Sequence, residues 1–374
     1  MRSVAKRFKV SLRTVQVWVA RADGQRLDRV DWSDRPRGGR REKSSTAART
    51  EDLVVRLRKQ LKDSSALGEF GAEAIHRELQ RRGVVRVPSI RTIGRILLRR
   101  GVLDGQRRVR RTPPPSGWYL PRVAARKAEL ESFDFVEGLV IRGGTDVMVF
   151  NGITLHGGMC SSWIESSWTS KKTVTTLISH WREHGLPSYA QFDNDTIFQG
   201  AHQWPDSYGR VTRLCLQLGV TPVFAPPRET GFQAAIESYN GRWQSKVWKR
   251  FEHDNLRTLR KYSDRYVAAA RLRSSARRDA APARKLFPAD WKPDLQKPLQ
   301  GIVIFLRRTN DRGEVDMLGK RILVDGTWLN RLVRAEVDLT KGQIRFYRLR
   351  RREPDQQALI KSIPYEVPKK TFHE

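Results

Sequence analysis

The sequence predicts a multidomain α/β protein. It combines N-terminal helix-turn-helix units, a mixed five-stranded sheet flanked by helices, and a small C-terminal β-barrel. Three observations predict it. The middle of the chain switches between period-two and helical hydrophobic patterns in the order β-β-β-α-β-α-β-α. The N-terminal region holds short capped helices joined by turns. The C-terminal region repeats short alternating strands, with turn signals at roughly 8–12-residue intervals.

Composition bounds the partners. The 374 residues suffice for roughly two to four domains. Lys plus Arg number 72 against 40 Asp plus Glu, a net charge of +32. That excess is far beyond what solubility needs, and it is spread over segments that look folded. Nucleic acid is therefore the expected partner, not a membrane surface. Cys160 and Cys215 form no disulfide framework, which fits a reducing cytoplasm. No apolar run long enough for a membrane span or a leader is read. The seven histidines show no zinc spacing with the cysteines.

In chain order, residues 1–22 read as a helix-turn-helix DNA-binding unit. Val4, Ala5 and Phe8 form one apolar face; Leu12, Val15 and Val19 form the next behind an N-cap at Ser11. The second helix would offer Arg13, Thr14 and Gln16 to a major groove. Residues 23–50 are a basic linker. Residues 51–106 read as a second helix-turn-helix domain, with Leu53, Val54, Leu57 and Leu61 at helical spacing. Its last helix starts at Ser89, with Ile90, Ile93, Ile96 and Leu97 inward and Arg91 and Arg95 outward. Residues 107–121 are a Pro-rich linker. The core spans 122–280, with strands at 131–141, 146–154, 159–167, 189–192 and 221–224 and helices at 171–184, 211–218 and 232–250. Residues 281–353 give the small barrel, whose Arg307, Arg308, Arg345 and Arg348 are candidate phosphate contacts. Residues 354–374 read as an extended tail.

Three acids fall on three core elements. Asp134 lies within the first strand, between Phe133 and Phe135, so its side chain points away from theirs. Asp193 ends the fourth strand, and Glu237 sits on the last helix. Taken singly, each has an ordinary reading: a cleft or solvent-facing acid, an Asx turn, a solvated helix face. Glu137 is out of phase with Asp134, and Asp195 is the alternative to Asp193. Lys246 and Lys249 extend the Glu237 helix and could hold DNA beside it.

The order Asp134, Asp193-Asn194, Glu237, with His184-Gly185-Leu186-Pro187 and Pro226-Pro227 around it, resembles the DDE transposase and integrase family of bacterial insertion-sequence type. That resemblance implies a ribonuclease H-like, retroviral-integrase-like catalytic core, in which strands one and four are neighbours. It likewise implies that the C-terminal barrel is SH3-like and binds DNA. Two features depart from the family's pattern: Asp195 stands where a glycine is usual, and the gap before Glu237 is lengthened around 199–210.

The resemblance implies a DDE-type polynucleotidyl transferase that binds transposon ends, cleaves DNA and joins a 3′-hydroxyl to target DNA. Asp134, Asp193 and Glu237 would be both the catalytic residues and the ligands of two Mg²⁺ (or Mn²⁺) ions, an all-oxygen set that suits these metals. Asn194 would orient neighbouring groups. The expected partners are double-stranded DNA and further copies of the chain. The alternative is a catalytically inactive DNA-binding relative acting as a regulator or targeting subunit.

Overall fold

The computed structural model describes residues 1–33, 46–103, 116–200, 205–294 and 296–366. Two helices open it, α1 (Arg2–Arg7) and α2 (Leu12–Ala22). Ser11 caps α2 by accepting from the Thr14 amide at 3.1 Å. Only Ala5 and Val15 are buried here. Val4, Phe8 and Val19, expected inward, are exposed, because two short helices supply no third wall.

Next come α3 (Ala48–Ser64), α4 (Ala72–Arg81) and α5 (Ile90–Arg99). They close a small core of Val54, Leu57, Ile75, Leu79, Ile93, Ile96 and Leu97. Ser89 caps α5 as expected, whereas Ile90 at its start is exposed. The basic linker's part at 34–45, the end of the second helix-turn-helix domain (104–106) and most of the Pro-rich linker (107–115) lie outside the described residues. The end of the Pro-rich segment is not a linker: Trp118, Tyr119 and Leu120 are fully buried.

The remaining elements are α6 (Pro121–Ala124), β1 (Leu130–Ile141), β2 (Thr145–Thr154), β3 (Cys160–Glu165), α7 (Ser170–His184), β4 (Tyr189–Phe192), α8 (Thr196–Gln199), α9 (Arg210–Gln217), β5 (Thr221–Phe224), α10 (Ala234–Trp243), α11 (Leu256–Arg273), α12 (Ser275–Asp279), β6 (Ile302–Arg308), β7 (Glu314–Met317), β8 (Lys320–Leu323), β9 (Leu332–Asp338), β10 (Gln343–Arg348) and β11 (Leu359–Pro364). The expected helix over 232–250 is α10 followed by a π-helical turn at Gln244–Trp248. The 18-residue α11 is absent from the sequence reading.

Among the described residues the sheet has nine strands instead of five, in the order β11-β10-β9-β6-β5-β4-β1-β2-β3. Strands β1, β4, β5 and β6 are mutually parallel neighbours. The other pairs in the sheet are antiparallel. The C-terminal strands therefore correct the barrel expectation: β6 pairs with β5 and extends the core sheet, while β7 and β8 pair separately. The alternating pattern of these strands identified them, but period two is the same whether a strand closes a barrel or joins a neighbouring sheet. The tail is corrected as well, since β11 pairs with β10.

Alternation along β1 sorts the two faces of the sheet. Phe133 and Phe135 pack with Phe150, Trp181, Phe192 and Phe198 on the α7 and α9 side. Val136, with Val149 and Ile164, packs against Ile236, Tyr239 and Trp243 of α10 and Leu259 of α11. Asp134 shares parity with Val136, so it belongs to the α10 side. No described helix is long and apolar enough to cross a membrane.

Candidate functional site

Asp134 sits at the centre of β1, opposite Asn151 of β2. Asn240 of α10 donates from Nδ2 to Asp134 Oδ2 at 2.7 Å. Its own Oδ1 accepts from Asn151 Nδ2 at 2.8 Å. This relay fixes one carboxylate oxygen and ties α10 to the two strands beneath it. Asn240 is one helical turn after Glu237, so both face toward β1.

Burial, then the charge of Asp193, and more weakly that of Glu237 push the Asp134 carboxyl up to about 7. Asp193 is raised too, by burial first and then by the charges of Asp195 and Glu137. Asp134 is not among the groups that raise Asp193. The charge of Asp193 opposes ionisation of Asp134. Strand, strand end and helix thus bring the three expected acids into one electrostatic neighbourhood, with Glu237 exposed and both aspartates partly buried.

Asp193 holds the turn that follows β4, accepting from the Asp195 amide at 3.0 Å. Asp195 caps α8 by accepting from the Ile197 amide at 2.7 Å. The alternative ligand therefore already has a structural task. Asn194 donates to the Ala225 carbonyl at 2.7 Å, and its Oδ1 accepts from Arg307 Nη2 at 2.8 Å. The turn after β4 is thereby clamped to the end of β5 and to β6.

Glu137, set aside as out of phase, is felt at Asp193 because β1 is irregular between Val136 and Leu139. Gly138, with φ +69°, is the sequence sign of such a bulge. Asn240 also escaped the sequence reading; its place one turn after Glu237 was the available sign.

Among the described residues, no group of three or more His, Cys, Asp or Glu side chains is arranged to hold one metal ion. The donor chemistry nevertheless fits a divalent cation. The set is all oxygen, and its mutual repulsion is the kind that a cation relieves.

The candidate DNA contacts divide. Arg13 and Gln16 on α2, Arg91 and Arg95 on α5, and Lys249 are exposed. Thr14 is half-buried, its hydroxyl 2.7 Å from that of Ser11 in the cap. Lys246 is half-buried and donates to the Gly68 carbonyl at 3.2 Å. Arg307 is corrected outright: it is 6% exposed and is a buried clamp, not a phosphate contact. Arg308 pairs with Glu229, Arg345 with Glu336 at 3.2 Å, and Arg348 with Asp325 at 3.6 Å.

No protein-family model and no curated protein matches the chain. Among solved structures, it is similar to the catalytic core domain of BIV integrase at 13% identity, covering 38% of this chain and 80% of that one with a TM-score of 0.27. The HTLV-2 integrase catalytic core domain in complex with magnesium gives 13% identity, 42% and 87% coverage and a TM-score of 0.28. A simian T-cell lymphotropic virus intasome gives 14% identity, 81% and 95% coverage and a TM-score of 0.34. These scores lie below the level of a shared overall fold, and the functional case rests on the side chains.

Proposed function

We propose that this chain is a metal-dependent polynucleotidyl transferase that cleaves DNA strands and joins a 3′-hydroxyl to target DNA, as transposases and integrases do. The observation that carries it is Asp134 at the centre of β1, held by Asn240 of α10 at 2.7 Å and raised by burial first, then by the charge of Asp193 and more weakly by that of Glu237. A structural acid gains nothing from two like-charged neighbours; a cation-binding acid does. The net charge of +32 supplies the attraction for DNA.

Asp134, Asp193 and Glu237 would hold Mg²⁺ or Mn²⁺, which lowers the pKa of the attacking hydroxyl and stabilises the leaving oxyanion. Asn240 orients Asp134 through Oδ2. The Asp193–Asn194 turn is held from behind by Arg307, so the second acid is presented by a fixed backbone. Exposed Arg91, Arg95 and Lys249 would carry the phosphate backbone.

The second reading is a DNA-binding relative without catalysis. It is favoured by the absence, among the described residues, of three acids closed on one point. Duplex DNA from the flanks of the gene's own locus, incubated with Mg²⁺ or Mn²⁺, separates the two. The proposal expects nicking and joining by the native chain and at least ~10²-fold less by Asp134→Asn at undiminished DNA binding. Binding without cleavage in either metal would establish the second reading.

A further inference from the structure

We propose that the cavity between the Asp193–Asn194 turn and the β7–β8 hairpin is a subsite for one unstacked nucleobase of the substrate strand, specifically a base bearing an exocyclic amino group. This inference rests on the proposed DNA-strand chemistry and says how that site reads its substrate.

The cavity has a volume of about 510 Å³ and is lined by Asn194, Gln199, Pro227, Arg307, Met317 and Lys320, among others. It lies past the carboxyl ends of the parallel strands β4, β5 and β6, where open α/β sheets form their ligand crevices. Its volume is within the usual range for a small-molecule pocket, roughly 300–1,000 Å³. Asn194 puts it one residue along the chain from Asp193.

The walls are fixed. The buried guanidinium of Arg307 donates to Asn194 Oδ1 at 2.8 Å and to the carbonyls of Leu306 at 2.9 Å, Asp316 at 3.0 Å and Ala225 at 3.3 Å. One side chain thus ties the hairpin, the end of β5 and the turn after β4 into a single frame. Met317 is buried and Pro227 exposed, so apolar groups flank the space on two segments. These are surfaces against which a flat ring can pack.

One wall atom is unsatisfied. Gln199 is 7% exposed, and its Oε1 has no hydrogen-bond partner among the described residues. A buried acceptor left alone is costly, and a donor from a ligand would recover that cost. Adenine, cytosine and guanine present amino donors on their pairing edges, and thymine has none. At the rim, Lys320 pairs with Asp206 and Arg321 with Asp316, but the two cations are 49% and 61% exposed. Asp316 is exposed too, so the Arg321 pair is weak and a phosphate can exchange into it, whereas Lys320 is held by the buried Asp206.

The test scans the strand at the cut site with base analogues and leaves the protein native. Duplexes in which adenine is replaced by purine, cytosine by 2-pyrimidinone, or guanine by hypoxanthine remove one amino group at a time. The expected result is one position, within a few nucleotides of the cut, at which loss of the amino group slows cleavage by roughly 10-fold. In Gln199→Met, checked for folding by its melting curve, that same loss has no further effect. 2-Aminopurine beside that position should gain fluorescence on binding to the native chain in Ca²⁺, without catalysis. DNA that is bound and cut with no amino-sensitive position, or with equal sensitivity in Gln199→Met, overturns the subsite and leaves the proposed function standing. Failure to bind or cut any DNA overturns both.

Discussion

Asp134 illustrates how much a residue's neighbours in sequence disclose. Two flanking phenylalanines on a strand fixed its direction, and it does point away from them, toward α10. Its immediate partner could not be read, because Asn240 lies far along the chain and meets Asp134 only through the packing of α10 on β1. We expect Asn240→Ala to lower strand cleavage about 10–100-fold, the usual cost of losing a group that orients a metal ligand, with DNA binding unchanged in a gel-shift assay. Glu131 was equally illegible. It is fully buried, and it accepts from His180 at 2.7 Å and Arg284 at 2.9 Å. Despite burial, the Arg284 and His180 charges hold its carboxyl below the ordinary value of 4.5. A depressed carboxyl adds stability above that value and loses it as pH falls further. Glu131→Gln should therefore cost about 3 kcal/mol in urea unfolding at neutral pH, with the gap to the native chain closing in acid.

At the scale of elements, caps and periodicity carried α2, α5 and the first five strands. Long basic α11 was hidden by its many arginines, although Asn255 caps it and Leu259 and Tyr266 mark its buried face. This helix and the segment between it and the π turn also hold the α3–α5 unit. Arg250 donates to the carbonyls of Ser65 at 2.7 Å and of Lys62 and Asp63 at 3.0 Å, and Arg265 to that of Ser64 at 3.0 Å. These carbonyls lie at the C-terminus of α3, where the helix leaves acceptors unpaired and favours cations. Arg250→Ala combined with Arg265→Ala should loosen that unit from the sheet. Small-angle scattering should then show a larger maximum dimension with the main melting transition retained; an unchanged dimension would refute the clasp.

For the whole molecule, the sequence divides too readily. A change of pattern near residue 300 suggested a separate barrel, yet the parallel pairing of β6 on β5 makes one sheet of both parts. Phe224 and Phe305 stack across that seam with ring centroids 5.2 Å apart. The lengthened segment before Glu237 also finds its reason here. Tyr208 is buried with its hydroxyl 2.9 Å from that of Tyr365, and the Asp206 amide donates to the Leu318 carbonyl at 3.0 Å. The extra residues reach the C-terminal strands and leave the acids in place. Removing 300–374 should bare the β5 edge and its aromatic face, so the truncated chain should lose its cooperative melting transition and aggregate. A truncated chain that melts cooperatively would restore the independent barrel.

The central claim is that Asp134, Asp193 and Glu237, drawn from three elements, form one cation site. The most direct measurement is Mn²⁺ binding, followed by electron paramagnetic resonance on the full chain without DNA. The account predicts saturable binding in the native chain that weakens at least ~10-fold in each of Asp134→Asn, Asp193→Asn and Glu237→Gln. Binding that is absent from the native chain, or equal in all four proteins, would contradict it.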